Sequence, residues 1–192
     1  MNWDSGTGRL VERLAIAAAS LVISIAAIAL LSGYFAGNDA AGITGTTAGP
    51  GISFRDLGDA ALPPGRLQPP YDSTPPTSGP HVPEAVTDDE RVLNDNQLLT
   101  ALAQGDVVIT YGTKTPPAGL TALARSIAGP FTPALAVAGG AVILAREPGS
   151  SSLTGLAWTH MITVRAADDP RLSAFARFWL GKGAPARSLP VS

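Results

Sequence analysis

The longest apolar stretch of the chain lies close to its N-terminus. Residues 14–35 contain no Asp, Glu, Lys or Arg. As a helix, a segment of this length would extend about 33 Å at ~1.5 Å per residue, which is enough to cross a hydrocarbon core of about 30 Å. The pattern therefore predicts a single transmembrane helix over residues 14–35.

The charges on either side of this helix predict its orientation. Arg9 and Arg13 precede it, and the next Lys or Arg in the chain is Arg55. Because positive residues are enriched on the cytoplasmic side of membrane spans, residues 1–13 are predicted to be cytoplasmic and the rest periplasmic or otherwise extracytoplasmic. This is typical of a single-pass protein of the bacterial inner (cytoplasmic) membrane. The alternative is a cleaved signal peptide, whose apolar region is usually only about 7–15 residues long.

Small residues recur at four-residue spacing on the predicted span: Ala15 with Ala19, and Ser20 with Ser24. Such pairs let a second helix approach closely. A plainer interpretation is that Ala is simply common in membrane spans. The span as a whole predicts the lipid bilayer as a partner. If these four residues form a docking face, they also predict integral subunits of a membrane complex as partners.

Two segments with few large apolar residues follow the span. Residues 36–62 are rich in Gly and Ala and are predicted to be a tether. Residues 63–91 contain eight prolines, and proline fixes φ and lacks an N–H donor, so this segment is predicted to be extended. We expect it to lie along a partner, with Tyr71 and His81 as anchors. Alternatively, it packs only against its own domain.

The remaining residues, 92–192, alternate between helical and strand patterns. Asn94 or Asp95 can cap a first helix that ends at Gly105, and Asp169-Pro170 starts the last helix. A helix is also predicted to begin at Thr115-Pro116, and strands are predicted at residues 107–111, 141–145 and 156–165. The order α-β-α-β-β-α predicts an α+β domain in which helices pack against a small sheet.

Composition excludes several classes of function. The 13 Lys and Arg residues are scattered and the net charge is −2, whereas nucleic-acid binding needs a clustered basic surface. The absence of cysteine excludes disulfides and thiolate metal sites. The chain lacks nucleotide-binding Gly motifs and nucleophile motifs, and Asp88-Asp89-Glu90 is typical of an exposed charge cluster. We therefore expect a non-catalytic protein that uses no cofactor and binds no nucleic acid.

Two histidines are candidate metal ligands. His160 is followed by Met161, and imidazole with thioether is a pair that copper(I) favours. Adjacent strand residues point to opposite faces, however, and His160 shares its predicted face with Trp158, as a core histidine would. His81 lies among prolines, where loop packing is the plainer explanation. The alternative function is an extracytoplasmic copper-binding or delivery protein that uses His81 with His160 or Met161.

Residues 71–83 read YDSTPPTSGPHVP and resemble the signature of a bacterial family known as domain of unknown function 3105. The resemblance continues through most of the exported part and implies one N-terminal membrane helix and an extracytoplasmic domain. The family pattern also carries a His followed by a Glu-His pair, and the matching positions here are Thr100, Ala103 and Gln104. Of the metal ligands that the resemblance implies, only His81 is kept, which indicates a divergent member with the scaffold but without the metal site.

Taken together, these features predict a non-catalytic accessory subunit of a bacterial membrane protein complex. Its exported domain would brace the complex from the periplasmic side. Photosynthetic complexes (reaction centre or light-harvesting) and respiratory complexes commonly carry such single-span subunits, and we expect the partner to belong to one of these classes.

The predicted topology is tested by protease treatment of intact spheroplasts. Because the domain is expected outside the inner membrane, added protease should cleave the chain beyond residue 51 while a cytoplasmic marker protein stays intact. Immunoblotting for the domain measures the outcome. If the domain is protected until the spheroplasts are lysed, the orientation of the span is the reverse of the predicted one.

Overall fold

Five strands form one mixed sheet in the computed structural model, which describes residues 49–185. The strands are β1 (Ile52–Ser53), β2 (Val107–Tyr111), β3 (Val142–Arg146), β4 (Leu153–Ala157) and β5 (His160–Val164). Their order across the sheet is β1-β5-β4-β2-β3. Strands β2 and β3 run parallel, and the other neighbouring pairs are antiparallel.

Helices cover both faces of this sheet. They are α1 (Asp95–Gln104), α2 (Leu120–Ala128), α3 (Pro133–Val137) and α4 (Pro170–Trp179). On one face, α1 and α3 pack against the sheet through a cluster that includes Leu99, Leu102, Ile143 and Leu156. On the other face, α2 and α4 do so through a cluster that includes Ile109, Leu120, Leu144 and Phe175. Burying each such side chain contributes about 1.5–3 kcal/mol. The predicted α+β class, with helices against a small sheet, is confirmed.

The ends of α1 lie where local sequence signals predict them. Asn94 Oδ1 accepts a hydrogen bond from Gln97 N (2.9 Å), and Gln97 Oε1 accepts one from Asn94 N (3.2 Å). This reciprocal pair satisfies two backbone donors that the first turn leaves free. Gly105 ends the helix with a φ of 113°, a left-handed conformation that favours glycine. Asp169 caps α4 in a comparable way, since its carboxylate accepts a hydrogen bond from Arg171 N.

The single strand predicted over residues 156–165 is wrong, because the structure divides it into β4 and β5. Ala157 pairs with His160, so the turn between the strands contains only Trp158 and Thr159. Thr159 adopts a φ of 60°, which is uncommon for a β-branched residue. The turn carries none of the Asn-Gly or Asp-Gly signals that usually mark a two-residue hairpin, so the sequence pattern continues through it without a break.

The hairpin also changes which residues share a face. Paired residues of an antiparallel hairpin lie on the same face, so Leu156 shares its face with Met161, and both pack on the α1 side. Ile162 and Val164 pack on the opposite side, against α4. A single strand over residues 156–165 would place Leu156, Ile162 and Val164 on one face, but the hairpin separates them because the return of the chain reverses the alternation.

Other elements differ from the sequence prediction in their bounds. α2 begins at Leu120 rather than at Thr115, after a turn in which Leu120 N donates to Pro117 O (3.1 Å). α3 and β1 have no counterpart in the prediction, and β4 overlaps the predicted strand only at Leu156 and Ala157. β1 lies within the predicted tether and pairs with β5, and Trp179 Nε1 donates to Pro50 O (2.8 Å). From residue 49 onward, the tether segment is therefore packed on the domain.

None of the helices within residues 49–185 is long and apolar enough to cross a bilayer. The transmembrane helix predicted over residues 14–35, including its four small docking residues, lies outside the described residues.

Irregular chain covers the outer edge of β3. Asp89 Oδ1 accepts a hydrogen bond from Leu144 N, Glu90 N donates to Leu144 O, and Arg146 N donates to Arg91 O, each at 2.7 Å. An edge strand with free N–H and C=O groups could pair with a strand of another chain. These contacts occupy such groups on β3 and so block that pairing. The acidic run predicted as an exposed cluster is exposed at Asp88 and Glu90, whereas Asp89 is half-buried and bound to the sheet.

Asp106 is a buried carboxyl group at the point where α1 leads into β2. Its side chain is 1% exposed. Oδ1 accepts a hydrogen bond from Ala141 N (2.7 Å), and Oδ2 is buried without a hydrogen-bond partner among the described residues. Burial disfavours the charged form and raises the pKa of Asp106 to about 7.

The stability of the protein should therefore fall as Asp106 ionises. Its pKa is above the ordinary value of 3.8, so the stabilising contribution is complete below about pH 4 and is lost as pH rises through about 7. The loss amounts to several kcal/mol at most, since one pKa unit equals about 1.36 kcal/mol. In Asp106→Asn this loss should disappear, so the free energy of unfolding of the variant relative to wild type should rise between pH 4 and pH 8.

Denaturant unfolding of the full chain, followed by near-ultraviolet circular dichroism, measures this difference. Asp168→Asn is the matched control, because Asp168 is exposed. A difference between Asp106→Asn and wild type that stays constant from pH 4 to pH 8 would contradict the raised pKa.

Candidate functional site

The proline-rich segment divides into an exposed part and a packed part. Residues 63–68 are all exposed, and we call them the exposed loop. Residues 71–83, which we call the strap, lie across the domain, and Thr77 and Ser78 within it are 0% exposed. The strap therefore packs on its own domain, whereas the exposed loop is left free for other contacts.

Hydrogen bonds join the strap to two distant parts of the chain. Ser78 Oγ donates to Arg55 O (3.1 Å) and accepts from Leu57 N (3.1 Å). Thr77 O accepts a hydrogen bond from Thr159 N (3.0 Å). The strap thus fixes the segment after β1 and the turn between β4 and β5.

Tyr71 closes the strap on itself. Its hydroxyl donates to Pro80 O (2.9 Å), and its ring lies against Gly79. Gly79 has a φ of 138°, and a Cβ at this position would lie 2.6 Å from the Tyr71 ring. The contact explains why this part of the motif needs glycine. Burial raises the pKa of Tyr71, and the nearby charge of Asp95 adds to the effect.

The strap also runs along α1. Asn96 Oδ1 accepts hydrogen bonds from Val82 N (3.0 Å) and from Gln68 Nε2 (2.7 Å). Thr100 Oγ1 accepts one from Glu84 N (3.0 Å). Thr100 is a position at which the family resemblance implies a histidine, and the structure brings it beside the segment that follows His81.

His81 is buried, with 4% of its surface exposed. Its Nδ1 lies 2.9 Å from Gly79 O. Its backbone N–H donates to Ala60 O (3.1 Å), and its carbonyl accepts from Leu62 N (2.8 Å). The structure therefore gives His81 contacts within its own domain, at the base of the exposed loop, and does not present its ring at the surface as an anchor.

His160 and Met161 lie on opposite faces of the sheet, as their adjacent positions in a strand predict. The His160 ring stacks on Trp179 with 3.7 Å between centroids, and its Nδ1 lies 3.0 Å from Trp158 O. Burial lowers the pKa of His160. Met161 packs with the α1 cluster. Across residues 49–185, no group of three or more His, Asp or Glu side chains is placed to hold a metal ion.

A cleft of about 330 Å³ lies between the strap, the start of α1 and the ends of β2 and β3. It is lined mainly by Tyr71, Pro75, Pro76, Leu93, Asp95, Leu98, Thr110, Ala145 and Glu147. Its floor is at the carboxyl ends of the two parallel strands, β2 and β3. The cleft cannot be predicted from the sequence, because its walls come from segments far apart in the chain.

A family model described as "Protein of unknown function (DUF3105)" matches residues 68–189. The match covers more than half of the chain, so the chain belongs to this family, as the strap sequence indicates. Neither a curated protein nor a solved structure gives a significant match.

The contacts of Asn96 should hold the exposed loop against α1. Asn96→Ala removes the acceptor for Val82 N and Gln68 Nε2, so we expect a loss of about 1 kcal/mol in stability and faster trypsin cleavage after Arg66, which lies in the loop. Asn96→Asp keeps an oxygen at the same place and should behave like wild type. Mass spectrometry of the fragments measures the cleavage rate, and equal rates for Asn96→Ala and wild type would contradict the assignment.

Proposed function

We propose that this chain, as a member of the DUF3105 family, is a non-catalytic accessory subunit of a bacterial membrane protein complex. A single helix over residues 14–35 would anchor it in the inner membrane, and the domain would brace the complex from the periplasmic side. The complex would be photosynthetic (reaction centre or light-harvesting) or respiratory. The single observation that carries the proposal is the exposed loop, which presents an apolar side chain from a fixed base.

The tip of the exposed loop carries Leu67, which is 91% exposed. A single exposed leucine is common on soluble surfaces and does not by itself mark an interface. Here, however, the chain on both sides is fixed, by Leu62 N to His81 O (2.8 Å) and by Gln68 Nε2 to Asn96 Oδ1 (2.7 Å). A leucine that a fixed loop exposes to solvent is well placed to insert into an apolar pocket of a partner.

The loop should lose little conformational entropy on docking. Pro63 and Pro64 at its start fix two φ angles, and restricted segments sacrifice less freedom when they bind. Burying the Leu67 side chain would contribute about 1.5–3 kcal/mol. A contact of this strength is weak alone but adds to that of the membrane helix, because the second contact forms at high effective concentration.

Co-purification from detergent-solubilised membranes tests the proposal. The wild-type chain should carry integral membrane subunits with it. Leu67→Asp should reduce the recovered partner about tenfold or more, since a charge replaces a side chain that is buried on docking. Val137→Asp is the matched control, because Val137 is also exposed (59%) but lies on α3.

The membrane helix is tested in the same assay. Ala15→Leu with Ala19→Leu should weaken recovery if small residues form a docking face, whereas Ala17→Leu should not. If the wild-type chain carries no partner, the accessory role is wrong. If a partner is recovered equally with all variants, the interface lies elsewhere and the two-point attachment is wrong.

A further inference from the structure

The cleft between the strap and α1 combines apolar walls with two carboxyl groups. Leu93, Leu98 and Ala145 supply apolar surface, and Tyr71 closes one side. Glu147 and Asp95 are the two acidic residues that line the cleft. At about 330 Å³, the volume is at the lower end of the range for small-ligand sites, which suits an extended side chain or a small metabolite.

Glu147 is held in place on the cleft side of the sheet. Thr110 Oγ1 donates to Glu147 Oε2 at 2.7 Å, and Thr110 is 5% exposed. A buried hydroxyl that donates to a carboxylate fixes the direction of the acid. The position of the negative charge is therefore built into the sheet.

Asp95 supplies a second negative charge across the cleft. It lies in the first turn of α1 and is close enough for its charge to act on Tyr71. Neither Asp95 nor Glu147 forms an ion pair within the part of the chain that the structure describes. Arg146 also borders the cleft, but strand alternation places its side chain on the opposite face, with Tyr111 and Leu144.

We propose that this cleft binds an organic cation, an ammonium or guanidinium group carried on a short apolar chain. The apolar chain would lie against Leu93, Leu98 and Ala145, and the cationic group would lie between Glu147 and Asp95. An anionic ligand would meet two like charges, and a purely apolar ligand would cover carboxylates without pairing them, which is costly. A cation with an apolar stem satisfies both features of the cleft.

Two sources could supply this chemistry, a free amine or the Lys or Arg side chain of a partner subunit. Cation binding in the cleft does not depend on the accessory role, because the cleft and the exposed loop consist of different residues. Binding is measured first with defined probes and then in the assembly, so that the two sources are distinguished.

Calorimetric titration of the full chain in detergent micelles uses N-acetyl-lysine methylamide, N-acetyl-arginine methylamide and cadaverine as probes. N-acetyl-norleucine methylamide is the neutral control, because it keeps the apolar stem and lacks the charge. At least one cationic probe should bind about tenfold or more tightly than the norleucine derivative, which corresponds to one charge-assisted hydrogen bond. Added salt should weaken the binding.

Glu147→Gln should abolish this preference while retaining the fold, since the amide oxygen still accepts from Thr110. Asp95→Asn should reduce it, and Asp168→Asn, an exposed acid outside the cleft, should leave it unchanged. Thermal unfolding of each variant confirms that the fold is kept. Equal binding of lysine and norleucine derivatives, or undiminished binding in Glu147→Gln, would overturn the proposal.

The assembly then identifies the source of the cation. If Glu147→Gln loses both probe binding and partner recovery, a partner side chain occupies the cleft. If it loses probe binding but recovers the partner fully, the ligand is a free amine. A lower recovery of the partner with Leu67→Asp, or with Ala15→Leu and Ala19→Leu, tests the accessory role alone, since those residues do not line the cleft.

Discussion

A proline-rich chain can be buried only where other groups replace the hydrogen bonds that it cannot make itself. The strap meets this constraint with hydroxyl and amide side chains and a few single backbone hydrogen bonds rather than with a continuous strand ladder. Ser78, Asn96 and Thr100 each bond to backbone groups in or beside it. Each such bond contributes about 1 kcal/mol, and an unpaired buried group would cost more. The rest of the site depends on these contacts, because they determine where the strap lies.

Once the strap is fixed, three other features follow from its position. The turn at Thr159 is supported through Thr77 O, which helps this residue to keep its uncommon φ. The exposed loop is held at its base through His81 and Asn96. The cleft acquires its outer wall, which the sheet and α1 alone would leave open. The sequence of the strap is therefore understandable as a structural requirement of the domain.

The residues that the sequence singles out as candidate anchors make contacts within their own domain. Tyr71 and His81 are predicted as partner contacts because rigid prolines surround them, yet Tyr71 bonds to Pro80 within the strap and His81 is buried. Leu67 and Glu147 attract no attention in the sequence, since a lone leucine or glutamate carries no motif. Leu67 is a candidate contact because it is exposed on a fixed loop, and Glu147 is one because it lines a cleft. Both features depend on contacts between distant segments.

By itself, the sequence determined the α+β class, both ends of α1, the start of α4 and the family, because capping residues, glycine and short motifs act over a few positions. It also predicts the extended course of the proline-rich segment. Only the tertiary structure decided the turn that divides residues 156–165, the pairing of β1 with β5 and the cleft. The hairpin reverses the alternation, but helices cover both faces of the sheet and the turn lacks glycine, so the reversal leaves no clear mark in the sequence. A two-residue strand has no pattern at all. Such elements exist because distant backbone groups pair with them, and that information is not local.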